Sequence, residues 1–176
     1  MRAMKANTTS QKIAANLEQA FAASGFAEQG VDALRDASGV SLRTLYKYYP
    51  SRQKMVMAAL EYRHQRYLQD IFTPTNAASE QNLSEVLDAI GQWMQHNAPT
   101  GCLFHSAVAA YPNDEEIQQM LQAHKHEVIE RLGAVCKMPQ ATGELAIIHE
   151  GLTQAWPIHK EQALTGAKRL AKLLCG

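Results

Sequence analysis

Residues 25–54 read GFAEQGVDALRDASGVSLRTLYKYYPSRQK. The centre of this stretch, Asp36-Ala37-Ser38-Gly39-Val40-Ser41, predicts a helix, a tight turn and a second helix. Gly39 stands where a left-handed C-cap is needed, since glycine reaches positive φ without a Cβ penalty. Val40 is the apolar plug after the turn, and Ser41 offers a hydroxyl to cap the following helix. Two helices joined by a short Gly-containing turn form a helix-turn-helix, whose second helix enters the major groove of DNA.

That second helix, 41–49, carries the chemistry. Leu45 is its expected buried anchor, which leaves Arg43, Thr44, Tyr46, Lys47 and Tyr48 facing outward. Lysine and arginine neutralise phosphate charge, and tyrosine hydroxyls donate to phosphate oxygens or pack on a thymine methyl. Pro50 stops the helix. Ser51 caps the next one and places Arg52 in a first turn whose free N–H groups favour phosphate. The expected DNA-contacting set is Ser41, Leu42, Arg43, Thr44, Tyr46, Lys47, Tyr48 and Arg52.

The run Phe21-Ala22-Ala23-Ser24-Gly25-Phe26, then Val31, Leu34, Ala37, Gly39-Val40-Ser41, Thr44-Leu45-Tyr46 and Tyr49-Pro50-Ser51-Arg52, resembles the TetR family of bacterial transcriptional repressors. The resemblance follows the family's first four helices without a gap, covers about the first third of the chain, and includes its G-V-S-x-x-T-L-Y-x-[YFH]-[YF] signature. Departures fall in the preceding helix, 31–38. Gln29-Gly30 stands where the family has a hydroxyl cap, Asp32 where a basic or neutral residue is common, and Arg35 where a small Ala usually sits. In the recognition helix Leu42 replaces a commonly polar residue and Arg43 a common Gly or Pro.

Charge is distributed in agreement with one DNA-facing end. The net charge is zero, but residues 1–54 hold eight Lys/Arg and four Asp/Glu, while the remainder holds nine and thirteen. A basic head on an acidic body fits nucleic acid at one end only. A hydrophobic content of 46% and charged content of 19% describe a globular chain of 176 residues. No apolar run nears the ~20 residues of a membrane span. The opening MRAMKANTTS lacks the apolar core of a secretory leader. Three scattered cysteines, Cys102, Cys136 and Cys175, are not a disulfide framework, and a cytoplasmic location is expected.

Residues 1–9 are polar with two cations, an arm with or without phosphate contacts. Helical periodicity then predicts an all-α chain of about nine helices, at 10–24, 31–38, 41–49, 51–72, 79–97, 102–110, 114–137, 142–156 and 160–174. Thr73-Pro74-Thr75-Asn76, Pro99-Thr100-Gly101, Tyr111-Pro112-Asn113 and Pro139-Gln140-Ala141 break them. The division expected is a helix-turn-helix DNA-binding domain over 1–54 and an effector-binding and dimerisation domain over 55–176.

The resemblance implies a homodimer that pairs the last two helices into a four-helix bundle, and a near-palindromic operator. Leu/Ile/Ala and Leu/Ala stripes at 145–155 and 164–174 agree with such packing. It also implies a small-molecule effector pocket in the body. Its candidate lining is Tyr62, Trp93, Met94, Phe104, His105, Met120, His124, His149 and Trp156, each large or amphipathic and central in its helix, beside the bland reading of ordinary core. An aromatic or amphipathic effector fits that set.

Other chemistry finds less support. His124-Lys125-His126 places two imidazoles at i and i+2, which point apart on a helix, so no metal is expected. Cys102 starts a helix, where the dipole favours a thiolate; a small apolar core residue is the plainer reading. No paired carboxylates, nucleophile–base pair or phosphate loop points to an enzyme, and no cofactor is expected. The chain reads as a ligand-responsive DNA-binding transcriptional regulator, and the resemblance implies a repressor released from its operator by a small molecule. The alternative is a helical protein-interaction adaptor of the same fold that has lost specific DNA binding, motivated by Gly30, Asp32 and Arg35.

Overall fold

The computed structural model describes residues 8–27, 30–72 and 82–175. Within them the chain forms nine α-helices and no strand. They are α1 (Thr9–Ser24), α2 (Val31–Ser38), α3 (Leu42–Tyr48), α4 (Arg52–Phe72), α5 (Leu83–Asn97), α6 (Leu103–Ala110), α7 (Glu115–Val135), α8 (Thr142–His159) and α9 (Glu161–Cys175). A short 3-10 turn, Pro139–Ala141, precedes α8. Residues 1–7 of the expected N-terminal arm, Gln29 and the break at Thr73–Asn76 lie outside the described residues, while Thr8 and Thr9 belong to the start of α1.

Side-chain caps fix most boundaries. Thr8 and Gln11 form a capping box at the start of α1, and Asn82 and Glu85 form one at α5. Helix α5 therefore opens at Leu83, later than its predicted start, because Asn82 takes the cap. Asp114 caps α7 by accepting the Ile117 N–H. Helix α8 runs past its expected end at Trp156, through Pro157 to His159. A proline this close to the C-terminus removes one backbone donor and leaves the earlier turns intact. Lys160, at φ 48, then turns the chain into α9.

Two hydrophobic cores meet along α4. The first joins Ile13, Leu17 and Phe21 of α1 with Leu34, Leu45 and the early α4 residues Met55, Val56, Ala59 and Leu60. It continues into Leu103, Phe104 and Ala107 of α6 and Ile117 of α7. The second packs Leu68 and Ile71 of α4 against Leu87 and Ile90 of α5, Val128 and Leu132 of α7, and Leu145, Leu152 and Trp156 of α8. Ala167 and Ala171 of α9 close it, while Leu170 and Leu173 turn to solvent.

The first turn of α4 is docked on the corner between α6 and α7. Arg52 Nε donates to the Tyr111 hydroxyl at 2.8 Å and its guanidinium also reaches the Phe26 carbonyl. Gln53 Nε2 donates to Asp114 Oδ2 at 2.8 Å, and Lys54 Nζ lies 2.7 Å from Glu116 Oε2. Eleven residues on, Arg63 and Arg66 of α4 both pair with Glu18 of α1. Their other donors reach the Asn97 carbonyl at 2.6 Å and Asn97 Oδ1 at 2.7 Å, at the end of α5. Trp93 stacks against both guanidiniums, at 5.5 and 5.2 Å.

Candidate DNA-binding helix and effector cavity

The turn between α2 and α3 is built as its residues dictate. Gly39 sits at φ 70, and its N–H bonds the Asp36 carbonyl at 3.3 Å. Asn16 Nδ2 of α1 donates to the Ser38 carbonyl at 3.2 Å, which pins the turn to the head. Ser41 Oγ accepts the Thr44 N–H at 3.2 Å and lies 2.9 Å from Thr44 Oγ1. Leu45 is fully buried, while Ser41, Leu42, Arg43, Tyr46, Lys47 and Tyr48 are exposed and Thr44 is half-buried. Tyr49 folds back, donating its hydroxyl to the Ser10 carbonyl at 3.0 Å and so locking the end of α3 against α1.

One residue of the expected set behaves differently. The Arg52 guanidinium is occupied by Tyr111 and Phe26, so it joins head to body from the base of α4. The departures in α2 are resolved within that helix. Arg35 binds Asp32 at 3.0 Å and Asp36 at 2.9 Å, which neutralises Asp32 and keeps the guanidinium out of the helix contact. Gly30 caps α2 with no side-chain bond.

In the body, α4, α5, α6, α7 and α8 surround a narrow cavity of about 20 Å³. Trp93, Met94, Phe104, His124 and His149 from the predicted list line it together. Arg63, Tyr67, Cys102, Lys125 and Thr153 line it as well, and sequence reasoning missed Arg63, Tyr67, Lys125 and Thr153 for this role. The remaining candidates lie elsewhere. Tyr62 faces a separate groove of about 520 Å³ with Ser10, Tyr49 and Arg66. Met120 borders an outer groove of about 190 Å³ that shares Phe104 and His124 with the cavity. Trp156 is packed in the body core, and His105 is partly exposed with Nε2 3.4 Å from Glu150 Oε2.

Hydrogen bonds tie the imidazoles and the phenol of the polar wall to one another and to carboxylates. His64 and His124 meet through their Nδ1 atoms at 2.6 Å, and His64 Nε2 lies 2.6 Å from Glu127 Oε2. His124 also stacks on Phe104, with ring centroids 4.1 Å apart. Burial, reinforced by His64, Lys125 and His149, lowers His124 to about 2, so it is neutral near pH 7. Tyr67 donates or accepts at His149 Nε2, 2.8 Å away. Burial pushes the Tyr67 phenol up and the His149 imidazole down, which keeps both uncharged. For Glu150, burial works upward, but His105, His149 and Lys125 outweigh it and hold the carboxyl below its ordinary range. Lys125 Nζ lies 2.8 Å from Glu150 Oε1. The Cys102 thiol lies within the electrostatic reach of Tyr67 at the start of α6.

No helix among the described residues is long and apolar enough to cross a membrane. No sequence-family model matches the chain, and no curated protein matches it. Solved structures do. The TetR-family transcriptional regulator SCO4454 from Streptomyces coelicolor superimposes with a TM-score of 0.80 at 17% identity, over 97% of this chain and 92% of that one. The reduced form of NemR from E. coli gives a TM-score of 0.71 at 20% identity, over 94% and 96% of the two chains. GusR from Salmonella enterica gives 0.65 at 20% identity, over 96% and 94%. The likeness runs through head and body alike, and with the signature at residues 39–49 it establishes that the chain has the all-helical fold of the TetR-family transcriptional regulators.

Proposed function

We propose that this chain is a dimeric, sequence-specific DNA-binding regulator of transcription, a repressor released from its operator by a small molecule. The exposed face of α3 carries the reading. Arg43, Tyr46, Lys47 and Tyr48 project from a helix held rigidly by Leu45, Ser41 and Tyr49, which leaves cations and phenols free for phosphate and base edges. Lys47 Nζ lies 5.9 Å from the Tyr48 ring centroid, so the two side chains form one patch.

The dimer reading is supported by the outer face of α8 and α9. Ile147 and Ile158 are 72% and 80% exposed, and Leu170 and Leu173 are 52% and 80% exposed. Gly151 and Gly166 on these helices have open space where a Cβ would sit, so a second copy can approach closely. An effector filling the body cavity acts only if it binds the non-DNA-binding geometry more tightly than the DNA-binding one.

Selection of bound sequences from a random DNA pool at near-physiological salt tests the reading. Enrichment of a single palindrome is the expected result, with affinity that falls steeply as salt rises. A folded dimer that enriches no sequence would favour the adaptor alternative.

A further inference from the structure

Two of the side chains lining the body cavity are formally cationic, Arg63 and Lys125, and no carboxylate lines it. Their partners, Glu18 and Glu150, stand outside its wall. Arg63 is only 5% exposed, so its guanidinium is desolvated and depends on Glu18 and the Asn97 carbonyl for partners. The Tyr67 phenol and the His124 and His149 imidazoles are neutral and can donate or accept. Trp93 and Phe104 supply flat apolar walls. A cationic ligand would meet two like charges there, and a neutral one would gain only ordinary hydrogen bonds. An anion gains charge-assisted bonds, which are about twice as strong.

We infer that the effector is a small aromatic carboxylate whose charged group takes the Arg63 guanidinium in competition with Glu18. The inference rests on the proposed reading of this cavity as the effector site. Glu18 belongs to α1, in the DNA-binding head, and is itself only 2% exposed. A carboxylate that captures Arg63 leaves Glu18 with Arg66 alone, 3.0 Å away, and so loosens α1 from the middle of α4. At about 20 Å³ the cavity has room for about one water molecule, so an aromatic ring enters only as its walls part. Ligand entry and helix displacement are then one event.

Isothermal titration of the full-length protein with benzoate, benzamide and benzylamine near neutral pH tests the charge preference. Benzoate is expected to bind on the order of tenfold more tightly than benzamide, the equilibrium value of one charge-assisted hydrogen bond, with benzylamine weakest. Glu18→Gln removes the competitor and is expected to tighten benzoate by about tenfold. The double variant E18Q/R63Q, which leaves no buried charge unpaired at this pair, is expected to lose the preference for benzoate over benzamide. Equal binding of benzoate and benzamide, no benzoate binding by either wild type or E18Q, or weaker binding by E18Q would each overturn the inference. The selected operator separates this from the parent reading. Operator binding without a carboxylate preference leaves the regulator standing and removes only the effector class. Carboxylate binding without any enriched operator removes the regulator and keeps the anion site.

Discussion

Lowering the pH from about 7.5 to about 5 should destabilise this protein through His124 before its carboxylates begin to titrate. Folded His124 is held at about 2 against an ordinary value of 6.5. Between those limits the unfolded chain takes up a proton that the folded chain refuses. Stability is therefore complete above pH 6.5 and falls as the pH drops toward 2. The loss is about 1.4 kcal/mol at about pH 5.5 and about 2 kcal/mol at about pH 5. His149, also lowered by burial, adds a loss of the same sign. The groups facing His124 are His64 on α4, Lys125 on its own helix, and His149 and Glu150 on α8. Glu127 and Glu150 have folded values below the ordinary 4.5 and so contribute only at lower pH. The assay is urea unfolding followed by circular dichroism at fixed protein concentration, repeated across this pH range for wild type and His124→Gln. The variant should be less stable at neutral pH, because His64 loses its partner at 2.6 Å. Its pH slope should be flatter by about 1.4 kcal/mol per unit. Identical slopes for the two proteins would refute the assignment of a buried neutral imidazole at this position.

Leu45→Ala should destabilise the protein by about 2–5 kcal/mol, the range for removing a fully buried leucine, and abolish operator binding; thermal denaturation and gel shift check it. Lys47→Ala should weaken DNA binding across sequences and lower the salt-dependence slope by about one, with sedimentation showing the oligomeric state unchanged. Ile158→Glu combined with Leu173→Glu should convert the proposed dimer to a folded monomer in sedimentation, since both side chains are solvent-facing in the single chain.

Local chemistry made the head legible. Gly39, Ser41 and Leu45 each have one conformational role, so α2 and α3 follow from the residues alone. The body was legible as helices but less so as a site. Trp93, Phe104 and His124 were recognisable as large central residues, yet nothing local marks Arg63 and Lys125, whose partners Glu18 and Glu150 are far along the chain. One signal was present: Glu18 stands beside Leu17 and three residues before Phe21, on a face otherwise apolar. A carboxylate in that position requires a buried cation, and the Arg63/Arg66 pair spaced three apart was available to supply it. Tyr62 went the other way because α4 is buried on several sides, and its helical position alone does not say which neighbour each side chain meets. The run of α8 through Pro157 was hidden because a proline usually marks a helix end.

The docking of the first turn of α4 on the α6–α7 corner makes that helix a lever with its fulcrum near the DNA-binding end. The Glu18 clamp on Arg63 lies eleven residues along, about 16 Å by helical rise. A sideways push of about 1 Å at Arg63 then becomes a tilt of roughly 4° about Arg52 and Tyr111. In the proposed dimer the two levers are related by a twofold axis and swing in opposite senses, so the spacing between recognition helices changes by the sum of both arcs. A rigid duplex tolerates little such mismatch. In the proposed switch the sensitivity is set at the fulcrum, and weakening the Arg52–Tyr111 bond should blunt the response to an effector without altering the cavity lining or the exposed face of α3.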